Sequence, residues 1–137
     1  MWLSEHLAVT PLLAGVMWIS GSSGDQIIAA SAANILADLD HIPDYFAGYS
    51  LKKFNIRHFF EVYYKGSLAK FYFFLHSYEI IPFFLLAWYL GYPIIGAIGL
   101  GILFHLICDQ FYNSAKSGTY FLFYRIKVKF DAKKVFK

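Results

Sequence analysis

The stretch FYFFLHSYEIIPFFLLAWYLGYPIIGAIGLGILFHLIC, residues 71–108, decides the fold class. From Phe71 to Leu90 the only charged or imidazole side chains are His76 and Glu79, and from Tyr92 to Cys108 the only one is His105. Gly91-Tyr92-Pro93 breaks the run. A helix needs about 20 apolar residues to cross a bilayer, so the stretch predicts two membrane helices joined by a tight turn. Gly96, Gly99 and Gly101 leave room for a close helix neighbour.

Upstream, two shorter apolar segments extend the pattern. Leu7 to Ser20 ends at the breaker cluster Ser20-Gly21-Ser22-Ser23-Gly24 and reads as a first helix; the alanine-rich run Ile27 to Ala37 reads as a second, closely packed one. Both fall short of a full span, so tilted or re-entrant elements are the alternative. A secretory signal peptide is a rival reading of residues 1–24, but the basic residues that normally precede its apolar core are missing. The expectation is an all-α integral membrane bundle of about four helices.

Composition agrees with that expectation. Hydrophobic residues make up 58% of the 137 and charged residues 15%, against about 25% charged in an ordinary soluble domain, and the mean hydropathy is +0.49. A disordered tail, a collagen, a disulfide scaffold and a large multidomain enzyme are excluded; the single cysteine, Cys108, has no partner to bridge. All 12 lysines and arginines lie between the second and third helices (Lys52 to Lys70) or after the fourth (Lys116 to Lys137). Four spans put both regions on one side, and the positive-inside rule makes that side cytoplasmic, with both termini there and the bundle in the cell (inner) membrane.

Residues 50–70 interleave Phe54, Phe59, Phe60, Val62, Tyr63 and Tyr64 with cations, as an interfacial amphipathic helix does. Residues 119–137 repeat the pattern and read as a basic-aromatic cytoplasmic tail on a single membrane-embedded domain, residues 1–118. Anionic headgroups suit such a surface better than RNA or DNA, so membrane lipid is the expected partner and nucleic acid is not.

The polar residues that remain are few and chemically alike. Asp38-Leu39-Asp40-His41-Ile42-Pro43-Asp44 places three carboxylates and an imidazole at the end of the second helix, a donor density that suits a divalent cation. The alternative is a solvated helix end with Asp40 capping a turn that contains Pro43. His105 and Asp109 stand four residues apart on one helical face, and His76 and Glu79 three apart. Such side chains are costly at lipid depth and face a polar interior, as metal donors or as hydrogen-bonded pairs that join helices. In the four-span topology His6, the Asp38 to Asp44 cluster, His76 and the His105–Asp109 pair all fall at the cytoplasmic end. Helix bundles build metal sites in this way. His58, in the interfacial segment, needs no function.

In this order, His6, Asp38-Leu39-Asp40-His41, His76-Ser77 and His105-x-x-x-Asp109 resemble the YdjM-like family of membrane-bound metal-dependent hydrolases, itself distantly similar to zinc-dependent phospholipase C. The resemblance covers residues 6–109. It departs before His76, where Phe73-Phe74-Leu75 stand in place of an arginine and a threonine usual there. It implies hydrolysis of a phosphoester or related ester in a lipid-like substrate at the cytoplasmic membrane face. His6, Asp38, Asp40, His41, His76, His105 and Asp109 would bind one or two divalent ions or orient the residues that do. Zinc fits these donors best, with manganese or iron as alternatives. Asp44 or Glu79 would serve as general base, Arg57 would clamp a phosphate, and Ser77 would contact substrate.

Two other classes use the same residues. One is a metal-stapled bundle that recruits a partner without catalysis; the other is a metal or proton carrier. A carrier needs polar groups continuing to the far side, and no acid, base or histidine follows Glu79 in the third helix or precedes His105 in the fourth.

Overall fold

The computed structural model describes residues 1, 3–49, 54–64, 68–113, 116 and 118–135. The regular elements are helical: α1 (Leu3–Ile19), α2 (Gly24–Leu36), α3 (His41–Gly48), α4 (Ile56–Tyr64), α5 (Ile81–Tyr89), α6 (Pro93–Tyr112), α7 (Leu122–Lys127) and α8 (Ala132–Val135). Short 3-10 turns, Ala37–Asp40 and Tyr78–Ile80, lead into α3 and α5. Among the described residues there is no strand, only an isolated bridge between Lys70 and Asp131.

Helix α2 begins at a reciprocal cap, in which Ser23 Oγ accepts the Gln26 N–H and the Gln26 side chain accepts the Ser23 N–H. This local signal starts the helix a turn earlier than its apolar content alone suggests. Short connections make α1–α2 and α5–α6 antiparallel pairs, and both α2 and α5 pack extensively on α6. Glycine permits that packing. A Cβ at Gly101 would sit 2.1 Å from the Ala30 carbonyl oxygen, and one at Gly99 would sit 2.2 Å from Phe84 Cβ.

Among the described residues one helix, Pro93–Tyr112, is long and apolar enough to cross a membrane, with 20 residues at a mean hydropathy of 1.8. Leu3–Ile19 and Tyr78–Tyr89 are shorter apolar helices. The third helix expected from Phe71 therefore needs correction, because regular structure begins only at Tyr78. Distant side chains take the peptide groups that would have made its first turns. Asp44 Oδ2 accepts the N–H groups of Tyr72 and Phe73, Asp40 Oδ2 accepts that of Leu75, and Arg125 donates to the carbonyls of Phe73 and His76. Backbone satisfied by side chains has no need of a helical ladder.

The separate tail over residues 119–137 is corrected too. Thr119, Tyr120, Arg125, Ala132 and Val135 are buried, and Ala132 and Val135 join Tyr45, Phe59, Val62, Leu68, Phe71 and Phe73 in one apolar cluster. Helices α3, α4, α7 and α8 thus form a cap at one end of the bundle. In and around α7 and α8, Lys127, Lys129, Lys133 and Lys134 are exposed, Val128, Ala132 and Val135 pack in this cluster, and Phe121 and Phe123 are exposed. Of the expected interfacial segment 50–70, residues 50–53 and 65–67 lie outside the described residues. Between them α4 is amphipathic, with Phe59 and Val62 buried and Ile56 and Arg57 exposed. The bundle itself has an apolar exterior: Leu7, Leu12, Val16 and Ile19 of α1, Phe83, Leu86 and Tyr89 of α5, and Ile94, Ile107 and Phe111 of α6 are all exposed.

Candidate metal centre

Five elements bring polar side chains to the junction of bundle and cap. Helix α1 supplies His6, the turn after α2 supplies Asp38 and Asp40, and α3 opens with His41. The irregular segment before α5 supplies His76, and α6 supplies His105 and Asp109. Asp38 Oδ1 lies 3.4 Å from His105 Nε2, 3.5 Å from His41 Nε2 and 3.6 Å from His76 Nε2. Asp109 Oδ2 lies 3.6 Å from His105 Nε2 and 3.7 Å from His76 Nε2, while its Oδ1 lies 3.3 Å from His6 Nε2 and 2.7 Å from the Met1 amino group. His76 Nε2 and His105 Nε2 are 3.0 Å apart. Donors sharing a tetrahedral zinc through bonds of about 2.0–2.1 Å stand roughly 3.3 Å from one another. The histidine–carboxylate contacts, 3.3–3.7 Å, are close to that spacing, and within each candidate set all the donor atoms lie within 4.8 Å of one another.

Hydrogen bonding gives a second test of fit. His105 Nδ1 is 2.7 Å from the Asn34 carbonyl; an N–H there leaves the Nε2 lone pair facing the cluster, as a metal-binding histidine requires. Asn34 is itself anchored, its Nδ2 donating to Thr10 Oγ1 and to the His6 carbonyl. Asp40 Oδ2 stands 3.5 Å from His76 Nδ1, on the ring edge opposite the donor atom. Both nitrogens of His6 and the Nδ1 atoms of His41 and His76 are buried without a hydrogen-bond partner. Of these, His6 Nε2 faces the cluster, 3.3 Å from Asp109 Oδ1, whereas the Nδ1 atoms of His41 and His76 lie on the ring edges opposite the Nε2 atoms that approach Asp38. A buried nitrogen such as His6 Nε2 costs about 1–3 kcal/mol unless something accepts its lone pair. A divalent ion is what this donor set fits, and two sets qualify: His6, Asp38, His105 and Asp109; and Asp38, His41 and His76.

Burial opposes the charge of Asp38, but contact with the imidazoles of His105 and His76 outweighs it and holds the carboxyl far below the usual range. Burial also pulls His76 downward, yet contact with Asp38 and Asp40 prevails and raises it to about 9. His41, buried and beside His76, is pushed down to about 3. A proton on His76 therefore supplies positive charge to the carboxylates in the metal-free protein. Solvent reaches the cluster from one side: the side chains of Asp38 and His41 are 23% and 17% exposed, whereas those of His6 and His105 are fully buried.

All seven residues expected as ligands or orienting groups are brought together here. Asp40 is the one that cannot be assigned to either donor set, and its Oδ2 accepts the Leu75 N–H in place of capping α3. Asp44, Glu79 and Arg57 are in neither set. Asp44 is buried on the amides of Tyr72 and Phe73, and burial pushes its carboxyl upward despite those bonds. Glu79 Oε1 accepts the Phe123 N–H and so ties the turn before α5 to α7. Arg57 is exposed and pairs with Glu61 one turn on. Ser77 is buried, and its Oγ accepts from Arg125.

Arg125 itself is the residue that sequence reasoning passed over. It is fully buried, and it donates to the carbonyls of Phe73, His76 and Thr119 and to Ser77 Oγ. Its guanidinium lies 4.4 Å over the Phe73 ring. Among the described residues no carboxylate comes within ion-pair distance of it. The chain matches no protein-family model, no curated protein and no solved structure.

Proposed function

We propose that the protein is a membrane-embedded, metal-dependent hydrolase that cleaves a phosphoester or related ester of a lipid-like substrate at the cytoplasmic membrane face, as its resemblance to the YdjM-like family implies. One observation carries this reading: the donor atoms of His6, Asp38, His41, His76, His105 and Asp109 converge from five elements at one end of a bundle with an apolar exterior. A lipid bilayer would cover that exterior, with α6 as a full span and α1, α2 and α5 as shorter or tilted elements. The connections at the opposite end, Ser20 to Ser23 and Leu90 to Tyr92, carry no lysine or arginine, so the cation rule sets the cluster on the cytoplasmic side. There the chain meets both an acyl tail in the bilayer and an ionic headgroup in water.

A divalent ion held by these residues would polarise the ester and lower the pKa of a water toward neutrality. The chain's own contributions are specific. Asp38 and His41 face the open edge where a headgroup can enter, and Asp40 places a carboxylate 3.5 Å behind the His76 ring at Nδ1. Asp44 and Arg125 hold the irregular segment that presents His76. The test is metal analysis of protein purified in detergent, followed by hydrolysis of phosphatidic acid and a polyprenyl phosphate in mixed micelles. Bound divalent ion and turnover abolished by chelator and restored by metal are expected; protein without metal, or a panel without metal-dependent turnover, refutes it.

A second reading is a structural metal staple. The complete burial of His6 and His105 favours it, because closed sites are typically structural. It predicts bound metal and a loss of stability on chelation with no turnover.

A further inference from the structure

The donors outnumber those one tetrahedral ion takes, and they divide by position. His6 stacks on His105 with ring centroids 3.8 Å apart, and His41 stacks on His76 at 4.5 Å. The two imidazole pairs meet edge-on through His76 and His105, and Asp38 Oδ1 lies within 3.6 Å of an Nε2 from each pair. We propose that the cluster is a two-cation centre bridged by Asp38, with a closed inner position on His6, His105 and Asp109 and an open outer position on His41 and His76. This rests on the metal-binding reading above and goes beyond it in number, in division of labour and in ligand.

One tetrahedral ion takes four donors, and six side chains converge here. They fall into two sets that share Asp38: His6, Asp38, His105 and Asp109 on the α1–α6 side, and Asp38, His41 and His76 on the α3 side. An ion held by the first set leaves His41 and His76 without a cation of their own. The two sets also differ in access. His6, His105 and Asp109 have side chains no more than 4% exposed, whereas the bridging Asp38 and the outer His41 reach solvent. Closed positions hold a structural ion, and positions that keep an open site bind an oxygen ligand.

The two should differ in affinity as well. The inner set offers four donors, two of them carboxylates, and the outer set three, with the bridging Asp38 as its one carboxylate. Fewer anionic donors and contact with water make the outer ion the weaker bound and leave it room for a further ligand. The outer position therefore takes a tetrahedral oxyanion such as a phosphate monoester, and adjacent cations clamp such a group through two of its oxygens.

The experiment uses full-length protein in detergent, stripped and reloaded with Zn²⁺ or Co²⁺. Metal per chain is measured by mass spectrometry during a graded chelator titration, and the Co²⁺ visible spectrum is recorded with and without inorganic phosphate. The expected result is two ions per chain released in two phases, with phosphate perturbing the spectrum of the weaker one. His41→Ala should retain one ion, the tighter, and lose the phosphate response. One ion per chain in wild type, kept at unchanged affinity in His41→Ala, overturns the two-cation centre and leaves the hydrolase reading standing. No bound ion at all defeats both. Should His41→Ala fail to fold, the two-phase release from wild type decides alone.

Discussion

Replacing Arg125 with methionine should unfasten the segment that carries His76, and the structure sets the size of the effect. Arg125 Nη1 donates to the His76 carbonyl at 2.7 Å and the Thr119 carbonyl at 3.0 Å, and Nη2 donates to the Phe73 carbonyl at 3.1 Å and to Ser77 Oγ. Hydrogen bonds from a charged donor contribute about 1.5–3 kcal/mol each. Against them stands the cost of burying a guanidinium away from water, several kcal/mol, which methionine escapes. Methionine also leaves three carbonyls and a hydroxyl without the donor they had. Four buried acceptors left unsatisfied cost about 1–3 kcal/mol each, and escape from the guanidinium's desolvation offsets part of that, so the net expectation is a loss of about 3–5 kcal/mol. For a chain of this length that corresponds to a melting temperature lower by on the order of 10–20 °C. Zinc affinity should fall by roughly 10–100-fold, because His76 is then held only through Asp38 and Asp40. Arg125→Lys keeps the charge without the planar fork and should fall between the two. Thermal unfolding in detergent with and without chelator, together with competition for zinc by a chromophoric chelator, reads both effects. If Arg125→Met stays within about 1 kcal/mol of wild type and binds zinc equally well, the guanidinium does not hold the loop and the reasoning fails.

Three further outcomes follow from other parts of the structure. Gly101→Val should cost about 1–3 kcal/mol or more, since its Cβ meets the Ala30 carbonyl and neither backbone can yield; Gly24→Ala, with no atom within 4 Å, should be near neutral in the same melting assay. His76, raised to about 9 when metal-free, contributes stability that is fully present below its ordinary value and is lost as pH rises through 9. Metal-free protein should therefore melt lower at pH 9 than at pH 6.5, while the stabilisation gained from zinc grows over the same interval because zinc needs the deprotonated ring; a flat metal-free profile contradicts this. Reporter fusions at Ser22 and after Lys137 should give opposite signals, and equal signals would remove the even-span topology.

The site was more legible in the sequence than the fold around it, and the reason is local geometry. A four-residue interval in a helix puts His105 and Asp109 on one face wherever the helix packs. The Asp38 to His41 run keeps its donors together in the 3-10 turn that replaced the expected helix end. His76 reaches the cluster although it precedes the helical part of the segment expected to be helical from Phe71. Composition around Phe71 to Leu75 is that of a buried helix, and nothing within the segment shows that Asp40, Asp44 and Arg125, all about 30 to 50 residues away in sequence, bind its peptide groups instead. Arg125 left one faint mark. It is the sole arginine among the seven cations after α6, and a guanidinium can serve several carbonyls at once where an ammonium cannot.

That arginine also bears on the segment before His76. Phe73-Phe74-Leu75 holds no cation of its own, yet a guanidinium from α7 reaches the carbonyls of Phe73 and His76. The donation is to backbone, so what α7 supplies is position: it fixes the ring of His76 relative to Asp38 and His105. The cluster in turn joins elements that are otherwise separate, since His6 and His105 belong to the bundle, Asp38 and His41 to the bend between bundle and cap, and His76 to a segment held by Asp44 and Arg125. A cation bound there would cross-link bundle to cap. Chelation should therefore loosen the cap before the bundle, with hydrogen exchange rising first in α3 and α7 and last in α6, where the close contacts at Gly99 and Gly101 persist without metal. Uniform exchange across α3, α6 and α7 on metal removal would show that the cation holds no such joint.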